Sequence, residues 1–252
     1  MTKKGFIKSI AGLFAGLLFL STVTTSCEND KTLLYNNITM GNVVEGKYIT
    51  DNGNIFNVVE KYVSVSLDTL NRVYTICDVL NHTEGGKSNE YDVRLKMYIE
   101  PLVKAPYVLT QMSQEQIDKL GKDPIKITSA WFSGGYLNLQ FTIEYKEGSA
   151  VEHPIYLVYD DEHSTGDVLY LYVYHDAKGE SLKNGYSSAI LTGTGFASFP
   201  MAGIIDKDAS RVDFSLTWNW YQNDTPSSDG LIKEYGASIA FIKGQFESSG
   251  IY

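Results

Sequence analysis

Asp213-Phe214-Ser215-Leu216-Thr217-Trp218-Asn219-Trp220-Tyr221 alternates with a period of two. Phe214, Leu216, Trp218 and Trp220 fall on one side, and Asp213, Ser215, Thr217 and Asn219 on the other. A helix would scatter these apolar groups around its axis, whereas a strand sends successive side chains to opposite faces. The stretch reads as a half-buried strand with one face on a core. The same pattern recurs upstream. In residues 91–99, Tyr91, Val93, Leu95, Met97 and Ile99 alternate with Asp92, Arg94 and Lys96. In residues 137–143, Leu137, Leu139, Phe141 and Ile143 alternate with Asn138, Gln140 and Thr142. Further strands are predicted over 38–44, 55–59, 72–80, 125–132, 155–159, 168–174 and 235–242. Turn signals separate them at Asp51-Asn52-Gly53-Asn54, Gly85-Gly86, Gly134-Gly135 and Ala177-Lys178-Gly179. The fold class is all-β.

One segment departs from this period. Ser113-Gln114-Glu115-Gln116 has the spacing of a capping box, Ile117 and Leu120 follow at helical spacing, and Gly121 supplies a stop. With Pro101, Pro106 and Pro124 around it, residues 105–123 are predicted to be a connector carrying a short helix. The connector divides a small, partly open barrel of short strands over 37–104 from an antiparallel β-sandwich over 124–252. Trp131 shares its parity with Ile125 and Ile127 and is expected to pack inward with them. The Gly134-Gly135 pair after it is expected to form a positive-φ hairpin turn.

The chain has 252 residues, 43% of them hydrophobic, enough to bury a sizeable core. Its 21 basic and 30 acidic groups give a net charge of −9. The barrel segment lacks the positive groove of nucleic-acid-binding barrels, so no nucleic-acid partner is expected. Two cysteines exclude a disulfide framework and a cysteine zinc cluster.

The first residues read as an address. Lys3 and Lys4 open a positive segment, and the apolar run IAGLFAGLLFL over 10–20 is too short to span a bilayer well. It has the length of a signal-peptide core. Ser26 directly before Cys27 resembles a lipoprotein signal. That resemblance implies cleavage after residue 26, acylation of Cys27 (palmitate among the chains) and a tether over 27–36. Glu28-Asn29-Asp30 resembles the surface-export signal of Bacteroidetes lipoproteins. Two or more acyl chains anchor a protein stably, so the membrane becomes a partner through lipid, in the cell envelope and at the outer membrane. Cys77 is then left as a free thiol, expected to be a small buried hydrophobe.

Asp123-Pro124-Ile125 with Ala130-Trp131-Phe132-Ser133-Gly134-Gly135-Tyr136-Leu137-Asn138-Leu139, and later Tyr174-His175-Asp176-Ala177-Lys178-Gly179-Glu180, resemble the C-terminal domain of NigD-like lipoproteins. The resemblance implies a lipoprotein leader, an N-terminal OB-like barrel and a C-terminal β-sandwich. It also implies an association with bacteriocin operons. The chain departs from that pattern at Tyr174, where many members carry arginine, and in its longer tail after Tyr221.

Candidate sites are few. Leu169, Leu171 and Val173 point one way, and Tyr170, Tyr172 and Tyr174 the other. A tyrosine stripe on an outer face can stack on sugars or anchor a protein, so these three are the candidate ligand-binding residues. Packing against neighbouring strands or loops is the competing explanation for such a stripe. His175 at a strand end is expected to bond the turn backbone. His153, His163 and His175 lack the short spacing of a zinc pair, and the acidic loop Asp160-Asp161-Glu162-His163 has no calcium-loop spacing. No catalytic residue, metal or cofactor is assigned, since nucleophile-elbow, zincin and phosphate-loop motifs are missing. The leading expectation is a non-catalytic envelope lipoprotein that binds a glycan or an envelope protein. The alternatives are a polysaccharide-acting hydrolase, whose carboxylate pair need not be close in sequence, and a bacteriocin-associated immunity-type lipoprotein.

Overall fold

The computed structural model describes residues 36–166, 168–184, 190–206 and 208–243. The signal segment 1–26, the acylation site Cys27 and the tether up to residue 35 lie outside these residues.

Five strands close the N-terminal barrel: β1 (Asn36–Val44), β2 (Lys47–Thr50), β3 (Ile55–Lys61), β4 (Arg72–His82) and β5 (Glu90–Ile99). Their order is β1-β2-β3-β5-β4, and β4 pairs back onto β1, so the barrel is closed rather than partly open. Tyr48, Phe56, Val73, Val79, Val93 and Leu95 fill it. Cys77 sits among them, fully buried, and burial pushes its thiol up to about 11. It packs as the expected small hydrophobe.

Two sheets form the sandwich. One runs β6-β12-β9-β8, with β6 (Leu102–Val103), β8 (Ile125–Ser133), β9 (Tyr136–Lys146) and β12 (Ile190–Pro200). The other runs β14-β13-β11-β10-β7, with β7 (Tyr107–Val108), β10 (Ile155–Asp160), β11 (Val168–His175), β13 (Arg211–Tyr221) and β14 (Ile232–Ile242). Leu137, Leu139, Leu157, Leu171, Phe199, Phe214 and Leu216 interlock between them, the faces that alternation assigns to the core. The sandwich is not purely antiparallel, because β11 and β13 run parallel. The chain leaves β11, crosses to β12 in the opposite sheet, and returns beside β11 in the same direction.

The segment expected as a connector is woven into the sandwich. From it β7 adds to β10, and just before it β6, at the end of the segment expected in the barrel, adds to β12, each as a short edge strand between prolines. The helix α1 (Gln114–Asp118) carries both bonds of the predicted capping box: Ser113 N–H donates to Gln116 Oε1 at 2.8 Å, and Gln116 N–H to Ser113 Oγ at 3.3 Å. Gly121 has φ +74°, and a Cβ there would stand 2.6 Å from the His175 carbonyl oxygen. Only glycine lets the segment settle onto the end of β11.

Two local expectations are corrected. Trp131 does not join the core. A bulge in β8 between Ile127 and Ser129 shifts the register by one, so Ala130 and Phe132 face inward. One inserted residue inverts every later side chain of the strand. The second correction is β12, absent from the predicted strands because Ile190-Leu191-Thr192-Gly193-Thr194-Gly195 has the composition of a turn. The glycines make room for rings of the neighbouring strand. A Cβ on Gly195 would lie 2.5 Å from the Phe141 ring, and one on Gly193 2.9 Å from the Tyr145 ring.

Candidate functional site

The barrel sits on the outer face of the β6-β12-β9-β8 sheet, and one arginine organises the contact. Arg72, at the start of β4, donates from Nη1 to Asp51 Oδ1 at 2.9 Å and from Nη2 to Asp51 Oδ2 at 2.7 Å. It reaches across to the sandwich with Nη2 to Asn138 Oδ1 at 2.9 Å and Nε to Ser198 Oγ at 3.0 Å. Tyr136 stacks on the guanidinium, 3.9 Å from carbon to ring centroid. Ser133 donates to Asp51 Oδ2 at 2.5 Å, and Asn138 Nδ2 to Ser133 Oγ at 2.9 Å. The Arg72 and Asp51 side chains are only 2% and 7% exposed. Such a charge pair is tolerable in the interior because both groups are bonded throughout. Beside it, Tyr74 of β4 stacks on Phe196 of β12 at 4.3 Å. The predicted Gly134-Gly135 turn has φ of +57° and +82°. It also serves this junction, since a Cβ on Gly134 would stand 2.3 Å from Asp51 Oδ1. A cleft of about 360 Å³ opens here between Asn42, Glu100 and Tyr136. Arg72 lines it, with its donors committed to the junction.

The tyrosine stripe lies where alternation places it. Tyr170, Tyr172 and Tyr174 project from the outer face of the five-stranded sheet, and each is half-buried rather than fully exposed. Tyr156 of β10 stands opposite Tyr174, and Tyr107 of β7 opposite Val158, which extends the aromatic row across three strands. Lys104 Nζ rests 3.7 Å from the Tyr156 centroid and occupies that end. Tyr172 and Tyr174 stack with centroids 6.3 Å apart. Burial raises the pKa of both phenols, and the carboxylates of Asp160 and Glu234 raise it further.

A histidine chain lies at the C-terminal end of β11. His175 Nδ1 is 2.9 Å from the Pro124 carbonyl oxygen, His175 Nε2 is 3.3 Å from His153 Nδ1, and His153 Nε2 is 3.3 Å from Glu180 Oε2. A carbonyl only accepts, so His175 carries its proton on Nδ1. Its Nε2 is then the acceptor nitrogen and faces His153 Nδ1, while the opposite nitrogen of His153 faces Glu180. Ser149 Oγ donates to Glu180 Oε1 at 2.5 Å, and Lys146 N–H to Oε2 at 3.2 Å. Burial works against the Glu180 carboxylate, but these bonds outweigh it and its pKa is lowered. His175 is fully buried, and burial first, then His153, pull its pKa down to about 4. The ring does bond backbone, as expected, but that of the distant Pro124. The pairing with His153 was invisible in the sequence because the intervening chain closes it in space.

The acidic loop is used internally. Asp160 accepts from His163 N–H at 3.0 Å, and Asp161 accepts from Thr110 N–H at 3.1 Å. Among the described residues no group of three or more metal-ligating side chains is placed to hold an ion. Glu144 is fully buried, accepts from the Tyr221 hydroxyl at 2.8 Å through Oε2, and among the described residues leaves Oε1 without a partner. Burial raises its pKa and favours the neutral acid.

Residues 108–229 match the NigD-like C-terminal beta sandwich domain. Solved structures share the two-domain fold. A protein of unknown function from Bacteroides vulgatus superposes with a TM-score of 0.59 at 19% identity, covering 86% of this chain and 96% of its own. A NigD-like immunity protein from Bacteroides caccae gives a TM-score of 0.59 at 18% identity, covering 83% and 98%. No curated protein matches in sequence. At such identities the neighbours speak for the fold, and the domain match speaks for kinship. Residues 108–229 are thus a NigD-like C-terminal β-sandwich domain, set behind a small β-barrel.

Proposed function

We propose that this protein is a non-catalytic lipoprotein of the cell envelope, held at the outer membrane by acyl chains on Cys27. In this reading Tyr170, Tyr172 and Tyr174 bind a ligand on the outer sheet face. The observation that carries it is the stripe itself: three stacked or adjacent rings project away from the sandwich core, and two strands extend the row. The rigid junction at Arg72 suits a module that presents a surface rather than one that closes on a substrate. The hydrolase alternative has less support. The one described carboxyl group that burial favours as a neutral acid, Glu144, has no exposed surface through which a substrate would reach it.

Two measurements test this reading. Cys27→Ser is expected to abolish lipid labelling and release the protein from carbonate-washed membranes. Retention in the membrane would remove the anchor. Tyr172→Ala is expected to weaken ligand binding while costing about 1 kcal/mol of stability, since a half-buried ring loses less than a core one. A loss near 4 kcal/mol would mark the ring as packing and remove the binding face.

A further inference from the structure

The outer face of the five-stranded sheet has a step in it. On one side stand Tyr170, Tyr172 and Tyr174. On the other, their neighbours on β13 and β14 are short. Tyr170 pairs with Ser215 and that with Ser238; Tyr172 pairs with Thr217 and that with Gly236. Cross-strand partners share a face, so these residues make a low floor beside a wall of rings. Gly236 and Ser238 are exposed, and the nearest atom to a Cβ built on Gly236 is the Leu216 carbonyl oxygen at 3.5 Å. The position is open and shows no packing need for glycine. Glu234 and Asp160 border the step, close enough to act on the Tyr172 and Tyr174 phenols.

From this shape and chemistry we infer that the step is a binding site for a neutral oligosaccharide, one sugar face against the Tyr170–Tyr174 wall and its hydroxyls over the Ser215, Thr217 and Ser238 floor. The inference rests on the ligand-binding reading of the stripe. A pyranose presents C–H groups on one face and hydroxyls around its rim. It therefore needs a π surface beside a row of short donors and acceptors, which the step supplies. A protein partner would need a desolvated apolar centre. The aliphatic side chain among the rings, Val158, is already 1% exposed and offers nothing to cover. Glu234 and Asp160 repel uronic acids and sulfated sugars, which selects neutral chains.

The test uses the detergent-solubilised full chain in titration calorimetry. The probes are hexaoses of β-1,4-linked glucose, mannose and xylose and of α-1,4-linked glucose, with hexagalacturonate as the acidic counterpart. At least one neutral hexaose is expected to bind, and hexagalacturonate is not. Gly236→Val fills the floor without touching a ring, and is expected to weaken that binding about tenfold or more with an unchanged melting temperature; Tyr172→Ala is expected to weaken it as much while lowering the melting temperature by only about 2–4 °C. Glu115→Ala on the exposed face of α1 is expected to change nothing. Binding of hexagalacturonate alone, no binding by any neutral hexaose, or binding indifferent to Gly236→Val overturns the inference. A photo-crosslinker at Ser238 in intact cells separates that failure from failure of the stripe. A specific protein adduct lost with Tyr172→Ala would keep the ligand face and replace the sugar by a protein, whereas no adduct and no sugar binding would end both.

Discussion

Arg72→Ala is expected to cost about 3–5 kcal/mol of stability, the range for removing one partner of a buried ion pair. The penalty comes from what remains. The Asp51 carboxyl would be left inside the junction without its cation, with Ser133 the one donor to it from the sandwich among the described residues, and the Asn138 and Ser198 oxygens would lose their charged donor. Tyr136 would lose the cation it covers. For a chain of this size such a loss lowers the melting temperature by roughly 6–20 °C. Gly134→Ala attacks the same junction from the sandwich side, by forcing a side chain at φ +57° into Asp51. Differential scanning calorimetry checks both. If the barrel and the sandwich hold together chiefly through Tyr74 and Phe196, Arg72→Ala will cost less than about 1 kcal/mol and Tyr74→Ala will carry the loss instead.

What the sequence disclosed follows from the range over which each signal acts. Strand alternation is local, and it located the inward faces of β9, β11 and β13 and the outward set of the tyrosines. The capping box and the Gly-Gly turn are also local, and both form as read. The bulge in β8 is one residue long, leaves no composition signal, and reversed the reading of Trp131. β12 was hidden because Gly193 and Gly195 look like turn residues until the rings of Tyr145 and Phe141 occupy the space above them. The Arg72 junction was beyond reach for a different reason. Asn138 and Ser198 occupy the polar phase of their strands, which alternation assigns to water. Only the docking of the barrel turns that face into an interior. The His153–His175 contact has the same character, since its two residues are brought together by the pairing of β10 with β11.

The histidine chain makes stability depend on pH in a defined window. The His175 pKa is about 4 in the folded protein, against about 6.5 for a free imidazole. The unfolded chain therefore binds the proton more readily, so the neutral ring's contribution is complete above pH 6.5 and is lost as pH falls from there toward 4. The full difference amounts to about 3 kcal/mol, of which about 2 kcal/mol is already gone at pH 5. The neighbouring His153 works against a charge on His175, while Asp123 and Asp176 partly favour one. Urea unfolding at pH 7.5 and pH 5.0 is expected to show a drop of that size, with one further proton taken up on unfolding. His175→Asn should be less stable at pH 7.5, through loss of the bond to Pro124, yet lose less than the native chain between the two pH values. An equal loss in both would place the acid sensitivity elsewhere. The most direct competitor is the Lys47–Glu90 pair, whose carboxylate is held down to about 2 by the bond from Lys47 and protonates only below the free glutamate range. A carboxylate of that kind weakens the fold below about pH 4.5, so a loss already visible between pH 6.5 and 5 belongs to the imidazole.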